Sequence, residues 1–458
     1  MKTIIKIIKS RFILLVCIIV LLPVAWIMMG KLEGKKPSIL IEPPPQYIGK
    51  TQTLSVTVSD AQSGVRKVWI GLIKDGRETV LLQKHLPSKG IIGGGEKHEA
   101  SFNIKIEPEN LGITDGKAIL RMVAKDFSWR SWFNGNTTYS EKDVIIDTKS
   151  PDLDIVTRIH NVSQGGTGLV IYKLSEPCLN SGVAVGENFF PGYTGYFKDK
   201  NLFMAFFALN YKQGPGTNIF VKATDFAGNN TRAGFPYYIK KRSFKKVVIK
   251  ISDSFLNWKM PEFNIDVSSD SEKPMIDKFL KINREIRNSN GRQLQEIVNE
   301  TDNKLYWSGA FLRLPNSARK ANFANHRNYT YKDHTIDQQV HLGIDLASVA
   351  HSPVPSSNNG KVVFTGYLGI YGKTVVIDHG FGLFSTYSHL SAIDVKKEQV
   401  ISQGDVIGRT GSTGLAGGDH LHFGIIVHNT FVNPVEWWDA AWIKNNISTK
   451  IETIKSSY

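Results

Sequence analysis

The segment Gly417-Gly-Asp-His-Leu-His-Phe423 places two histidines one residue apart, directly after a pair of glycines. In a β-strand, successive side chains point to opposite faces of the sheet, so His420 and His422 would share one face about 7 Å apart. One imidazole could then bind a metal ion while the other contacts a substrate or a water molecule. A His-x-His sequence taken alone is equally typical of an ordinary strand, so other parts of the chain must decide between these interpretations.

Two further motifs precede this segment. His341-Leu-Gly-Ile-Asp345 keeps its histidine and its carboxylate on one face of either a helix or a strand, and the aliphatic residues around the aspartate favour a strand. Histidine and aspartate are both suitable ligands for Zn²⁺. Phe384-Ser-Thr-Tyr-Ser-His-Leu390 adds His389 shortly after another predicted strand. Three such motifs within one segment of ordinary domain size predict a metal site.

The order and spacing of these motifs resemble those of the lysostaphin-type zinc metallopeptidase family. The motifs that carry the resemblance are His341-x-x-x-Asp345, Tyr387-x-His389-Leu and His420-Leu-His422. The similarity covers about Leu305 to Trp442, with a departure at Asp419, where many members of the family have proline or serine. The resemblance implies a small, mostly antiparallel β domain with a groove across the metal.

Roles for the motif residues also follow from the resemblance. It implies that His341, Asp345 and His422 bind Zn²⁺, and that His389 and His420 stay unliganded to transfer protons and stabilise charge. Three protein ligands leave one position of a catalytic zinc open for water, whereas a fourth ligand would close the site. The division of the two tasks between the unliganded histidines stays open.

The activity that the resemblance implies is hydrolysis of the peptide cross-links in bacterial peptidoglycan, with Zn²⁺ as the cofactor. Two other interpretations stay open. The chain could be a non-enzymatic wall-binding protein that regulates another wall hydrolase, or a metallopeptidase that acts on a protein substrate. Loss of a ligand would favour the regulator, and every ligand of the motif set is present.

The distribution of charge narrows the choice of partners. The chain carries a net charge of +15, which favours anionic neighbours such as nucleic acid, membrane head groups or wall polymers. Between Tyr331 and Ala440, however, six basic and ten acidic residues give a net charge of −4, so the remainder carries +19. Because the candidate chemistry lies in the acidic segment, we predict that nucleic acid is not a partner. The resemblance implies peptidoglycan as the substrate, and the N-terminal segment described next implies a membrane partner. The sequence does not identify a protein partner.

The N-terminus has the pattern of a membrane anchor. Residues 1–11 form a tail with four basic side chains, and residues 12–30 are almost entirely apolar, which is close to the ~20 residues that span a bilayer as a helix. The preceding positive charge predicts a single-pass protein with a cytoplasmic N-terminus and a catalytic domain on the periplasmic or cell-wall side. A cleaved signal peptide stays open as an alternative. A lipid anchor at Cys17 is disfavoured because no small residue directly precedes it.

Short alternating stretches between turn-rich breaks predict two tandem immunoglobulin-like β-sandwiches, over residues 37–148 and 149–242. The phrase Val123-Ala-Lys-Asp-Phe127 in the first segment recurs as Val221-Lys-Ala-Thr-Asp-Phe226 in the second, which indicates a repeat.

Acidic turns occur in both predicted sandwiches, at Asp60–Val65 and Asp225–Asn229. Aspartate, glycine and asparagine are typical turn residues because they supply local hydrogen bonds and tolerate left-handed backbone angles. We interpret both segments as plain turns, with calcium binding as the alternative.

Residues 243–302 are predicted to be a short helical connector, because apolar residues recur at three- and four-residue spacings between Met275 and Val298. Residues 303–445 would form the metallopeptidase domain and residues 446–458 a tail. The predicted fold class is therefore mainly β, with a transmembrane anchor helix, two sandwiches, a helical connector and a C-terminal antiparallel β domain.

Overall fold

The computed structural model describes residues 2–266 and 273–457. The chain divides into two compact units, Met1–Ser150 with Thr224–Asn230 and Pro151–Ala223 with Thr231–Tyr458. Strands outnumber helices in both units. The prediction of a mainly β fold is confirmed.

The first unit begins with helix α1 and continues with eight strands and three short helical segments. The helices are α1 Lys2–Lys31, α2 Gly90–Gly93, α3 Arg130–Phe133 and the 3₁₀ turn Glu109–Leu111. The strands are β1 Ser38–Glu42, β2 Tyr47–Ile48, β3 Gln52–Ser59, β4 Val65–Lys74, β5 Arg77–His85, β6 Glu99–Ile106, β7 Gly116–Asp126 and β8 Thr137–Ile146.

These strands form a three-stranded sheet in the order β1-β3-β6 and a five-stranded sheet in the order β2-β8-β7-β4-β5. Every second residue of β7 is buried, as expected of a strand with one face on a core. Leu54, Val56 and Val58 of β3 share that core with Leu120 and Met122 of β7. Each sheet therefore covers the apolar face of the other. The immunoglobulin-like topology stays a prediction.

Helix α1 is long and apolar enough from Ile7 to Lys31 to cross a membrane. The apolar side chains of this stretch are largely exposed. These properties fit either a membrane anchor or a signal sequence. The direction of insertion stays a prediction.

The second unit contains the remaining strands and helices. The strands before the helical segment are β9 Leu153–Ile155, β10 His160–Ser163, β11 Thr167–Leu174, β12 Asn180–Val185, β13 Asn188–Pro191, β14 Leu202–Ala208, β15 Ile219–Thr224, β16 Asn230–Gly234, β17 Tyr237–Lys240 and β18 Lys246–Lys250. The helical segment comprises α4 Asp253–Lys259, the 3₁₀ turn Met260–Glu262, α5 Pro274–Lys281, the π-turn Ile282–Ile286 and α6 Arg287–Ile297.

The C-terminal part of this unit is again built of strands and ends in helices. The strands are β19 Ala318–Ala321, β20 His326–Tyr331, β21 His334–Val340, β22 Ile344–Ala347, β23 Pro353–Pro355, β24 Gly360–Tyr367, β25 Lys373–Asp378, β26 Leu383–Leu390, β27 Ala392–Ile393, β28 Val400–Ile401, β29 Val406–Arg409, β30 Leu421–Val427 and β31 Thr430–Val432. A 3₁₀ turn spans Gly369–Tyr371, and the chain ends with α7 Pro434–Trp438, α8 Ala440–Ile443, the π-turn Lys444–Ser448 and α9 Thr449–Ser457.

One hydrophobic core runs through most of the second unit. The ring of Phe206, in β14, lies 6.2 Å from the ring of Trp437 and 6.4 Å from that of Trp307. The buried carboxylate of Glu436 accepts a 3.0 Å hydrogen bond from the backbone N–H of Thr167. The segment predicted as the second sandwich thus shares its core with the C-terminal domain, and the boundaries at 242 and 302 stay predictions.

The segment 446–458, predicted as a tail, contains helix α9. Ile447, Ile451 and Ile454 bury their side chains in the same core. The amphipathic spacing of these isoleucines explains why the segment packs as a helix.

An antiparallel sheet positions the histidine motifs. Its strands lie in the order β19-β22-β30-β26-β25-β24-β28, and β31 pairs with β30. The strands β22, β30 and β26 are therefore direct neighbours, and each carries or adjoins one of the three motifs.

Candidate active site

Strand register brings the predicted ligands together. In the pairing of β22 with β30, Asp345 lies opposite His422, and in the pairing of β26 with β30, Ser388 lies opposite His422. His341 lies in the short connection between β21 and β22. Residues that are far apart in the sequence therefore meet over the centre of one sheet.

Three atoms of the predicted ligands form a compact triangle. His341 Nε2, Asp345 Oδ1 and His422 Nδ1 each lie 2.9 Å from the other two, and all three residues are buried. Ligands of a tetrahedral zinc ion with bonds of about 2.0–2.2 Å lie roughly 3.3 Å apart. The triangle is therefore close to the size that one small divalent ion requires.

Backbone contacts fix the orientation of the ligand imidazoles. His341 Nδ1 lies 3.0 Å from the carbonyl of Asn322, so its N–H donates there and Nε2 stays unprotonated toward the triangle. On the outer side of His422, a Cβ at Gly343 would lie 2.5 Å from Nε2. Only a glycine at this position lets β22 approach the ring so closely.

A salt bridge holds the carboxylate ligand. The guanidinium of Arg327 donates to Asp345 Oδ2 at 2.7 Å, which leaves Oδ1 for the triangle. Burial would raise the pKa of Asp345, but His341 and His422 together hold it well below its usual range. Arg327 could not be predicted from the sequence motifs, because it belongs to none of them and reaches the site through the pairing of β20 with β21.

The two other motif histidines lie beside the triangle. The rings of His389 and His420 are 4.8 Å apart, and His420 Nε2 is 3.6 Å from Asp345 Oδ1. Each ring donates its Nδ1–H to a backbone carbonyl at 2.8 Å, His389 to Thr413 and His420 to Gly418. In the neutral tautomer that this contact selects, the proton lies on Nδ1 and the Nε2 atom is the free acceptor.

His389 combines an unusual backbone with a neutral ring. Its φ of 64° lies in the left-handed region, which costs a residue other than glycine about 1–3 kcal/mol. Burial and the neighbouring rings of His420 and His422 lower the pKa of His389 well below its usual value. The neutral imidazole can accept a proton.

A cavity of about 380 Å³ opens over these residues, and the helical segment supplies one of its walls. Phe255 of α4, Phe279 of α5 and Arg287 of α6 line it opposite the histidines. The ammonium of Lys259, which is fully buried at the end of α4, donates to the carbonyl of Ser412 at 2.7 Å. The helical segment is thus attached to the loop that leads into the His-x-His strand.

The fold and the donor set are those of a metallopeptidase domain. Residues 339–434 match the model of Peptidase family M23, and this part of the chain is a domain of that family. The resemblance to lysostaphin-type peptidases is confirmed for the C-terminal domain.

Part of the chain is also similar to two bacterial enzymes. The DD-carboxypeptidase/endopeptidase Mpg of Neisseria meningitidis is 39% identical over 109 residues, which are 23% of this chain and 25% of that protein. The peptidoglycan DD-endopeptidase ShyA of Vibrio cholerae is 41% identical over 105 residues, or 22% and 24% of the two chains. The matched region spans about a quarter of the length of these relatives.

A solved structure also resembles part of the chain. A putative peptidase M23 from Pseudomonas aeruginosa aligns with a TM-score of 0.39 at 20% identity, covering 61% of this chain and 95% of that one. The family assignment rests on the sequence match of the C-terminal domain.

Proposed function

We propose that the chain is a zinc endopeptidase that hydrolyses the peptide cross-links of bacterial peptidoglycan and is anchored in the membrane by α1. The observation that carries this proposal is the triangle of His341, Asp345 and His422 with two further histidines beside it. The similarity to the DD-carboxypeptidase/endopeptidase Mpg and the peptidoglycan DD-endopeptidase ShyA supports an endopeptidase acting on peptidoglycan.

The donor set favours zinc as the metal. Two imidazoles and one carboxylate are typical ligands of catalytic zinc, which keeps a further position for water. The Asn322 carbonyl holds His341 in the tautomer whose Nε2 can coordinate. When bound, zinc would supply a water molecule with a pKa of about 7 and polarise the scissile carbonyl.

The unliganded histidines would move the protons. An imidazole whose Nδ1–H is held by a backbone carbonyl presents Nε2 as a base, and both His389 and His420 are held in this way. One ring would accept the proton of the attacking water and pass it to the leaving amine. The other, once protonated, would donate a hydrogen bond to the developing oxyanion. The hydrogen bonds of the two Nδ1–H groups match, so these contacts do not divide the two tasks between the rings.

Helix α1 would place the enzyme near its substrate. Basic residues precede the apolar stretch, and this order favours a cytoplasmic N-terminus with the catalytic domain outside. Peptidoglycan lies on that side of the membrane. The positive charge outside the catalytic segment would favour anionic head groups or wall polymers, an attraction that salt weakens.

The test is muropeptide release from purified peptidoglycan by the full-length protein in detergent, with and without zinc. His420→Ala is expected to lower the rate about 10²–10⁴-fold, the usual contribution of a general acid or base. His334→Ala, an exposed histidine on β21, is the matched control and should leave the rate unchanged.

The outcome separates the alternatives. Loss of cross-linked dimers that needs both zinc and His420 supports the endopeptidase. Intact peptidoglycan despite bound zinc contradicts it and leaves a regulator of another hydrolase or a peptidase with a protein substrate. Cleavage of denatured protein substrates by the same sample would favour the latter.

A further inference from the structure

Three carboxylates are buried together in the first unit. Glu33 lies two residues after α1, Asp60 follows β3, and Asp126 is the last residue of β7. One oxygen atom from each lies within 4.8 Å of the other two. Their exposed fractions are 5%, 4% and 0%. Among the described residues, no lysine or arginine forms an ion pair with any of them.

Backbone donors satisfy only part of this cluster. The N–H groups of Gly64, Ser128 and Ser63 donate to Asp60, Asp126 and Glu33, at 2.7, 3.0 and 2.9 Å respectively. In contrast, Oε2 of Glu33 and Oγ of Ser128 are buried and have no hydrogen-bond partner in the described part of the chain. An unpaired buried carboxylate oxygen is costly, and a nearby cation would remove that cost.

The repeat in the sequence provides an internal comparison. In the first copy of the repeat, Asp126 accepts the backbone N–H and the side-chain amide of Asn136, at 2.6 and 2.8 Å. In the second, Asp225 accepts the same two groups of Asn229, at 2.8 and 2.8 Å.

In both copies of the repeat the asparagine amide also donates to two carbonyls of the preceding linker, those of Glu33 and Lys35 in the first and of Asp147 and Lys149 in the second. The hydrogen bonds of the Asp–Asn pair are thus the same with and without a nearby Glu33. Asp60 Oδ1 accepts hydrogen bonds within its own turn, from Gln62, Ser63 and Gly64, but neither pattern explains the buried, unpaired oxygen of Glu33.

We propose that Glu33, Asp60 and Asp126 form a calcium site. All of their donor atoms are oxygens, with Ser128 Oγ as a further candidate, and calcium binds six to eight oxygens at about 2.3–2.6 Å with carboxylates as its main protein ligands. The flexible coordination of calcium suits ligands from three separate segments better than the strict octahedron of magnesium. The interpretation of the first acidic turn as a plain turn is thereby replaced, whereas that of the second is kept.

The site would connect the end of α1 to the first pair of sheets. Three contacts already join them: the Trp129 N–H donates to the carbonyl of Lys31, Arg130 Nε donates to that of Leu32, and Ser63 N–H donates to Glu33. A bound ion would add a link between Glu33 and the ends of β3 and β7. Calcium would therefore order the chain directly after the helix.

The test is equilibrium binding of radioactive calcium to the full-length protein in detergent, with the zinc concentration buffered. About one ion per chain is expected, with a Kd of about 10⁻⁴–10⁻³ M, the range of extracellular calcium modules. Glu33→Gln, which keeps the shape of the side chain, should weaken binding at least 10-fold. Asp147→Asn, at the corresponding linker position of the repeat, is the matched control and should bind as the parent does.

Two further measurements keep the proposal open to refutation. Without calcium, Glu33→Gln should be at least as stable to heat as the parent, because it removes one of three adjacent negative charges. His422→Ala should retain calcium binding, because the zinc triangle is a separate site. Absence of binding to the parent at 10⁻² M calcium, or equal binding by Glu33→Gln, would overturn the proposal.

Discussion

Replacement of Gly343 by alanine tests whether the ligand triangle depends on a close approach of backbone to imidazole. The new Cβ would lie 2.5 Å from Nε2 and 2.6 Å from Cε1 of His422, and 2.8 Å from the carbonyl oxygen of Phe423. Ordinary contacts of a Cβ begin near 3.4 Å, so the ring must move by roughly 1 Å. Metal–ligand distances tolerate only about 0.2 Å. The ring therefore cannot both avoid the methyl group and keep its place in the triangle.

We expect Gly343→Ala to weaken zinc binding at least 100-fold, which corresponds to about 2.8 kcal/mol. If the strands move apart and the His422 ring keeps its position, the overpacking should lower the free energy of unfolding by about 1–3 kcal/mol. Zinc affinity is measured by competition with a chromophoric chelator, and stability by thermal unfolding of the metal-free protein.

Gly417→Ala is the matched control, because a Cβ there meets nothing within 4 Å although the position is close to His420. It should change neither zinc affinity nor stability appreciably. The reasoning is refuted if Gly343→Ala binds zinc within a factor of three of the parent and unfolds at the same temperature.

Three further predictions follow from other contacts. Arg327→Met should lower zinc affinity about 10–100-fold in the chelator assay, because Asp345 loses the partner that orients it. The control Arg284→Met removes a salt bridge away from the triangle and should not change zinc affinity. Tighter zinc binding by Arg327→Met would show instead that repulsion between the guanidinium and the metal ion dominates. Lys259→Met removes the hydrogen bond that attaches the helical segment to the loop at Ser412. It should raise the turnover of a soluble cross-linked muropeptide, because the helical wall of the cavity is then free to move. An unchanged rate would mean that this wall does not limit access of the substrate to the cavity. Burial raises the pKa of Glu436 from 4.5 to about 7. As the pH rises between these values, the carboxyl group loses its proton in the unfolded chain but keeps it in the folded one, so the free energy of unfolding falls. Glu436→Gln should remove up to about 3 kcal/mol of that loss, as measured by urea unfolding at pH 5 and pH 8. An unaltered pH dependence would show that Glu436 is not the group responsible.

The sequence by itself determined the class of the C-terminal domain and its ligand candidates. A His-x-His pair in a strand and a His-x-x-x-Asp pair each project their side chains to one side, because the side-chain period of a strand is two residues. The apolar stretch after the basic N-terminus likewise predicted α1 from composition alone, since the length of a bilayer span is fixed. Local periodicity carries information of this kind without knowledge of the tertiary fold.

The tertiary structure decided which distant residues complete each site. Arg327 reaches Asp345 only through strand pairing, and Lys259 meets the loop that leads into the His-x-His strand only because α4 packs over the cavity. In the first unit, Glu33 joins Asp60 and Asp126 across segments that share no motif. Such contacts depend on the register between strands and on the packing of separate segments. For a strand residue such as Arg327, a one-residue shift of register would turn the side chain to the opposite face, and local sequence does not reveal that register.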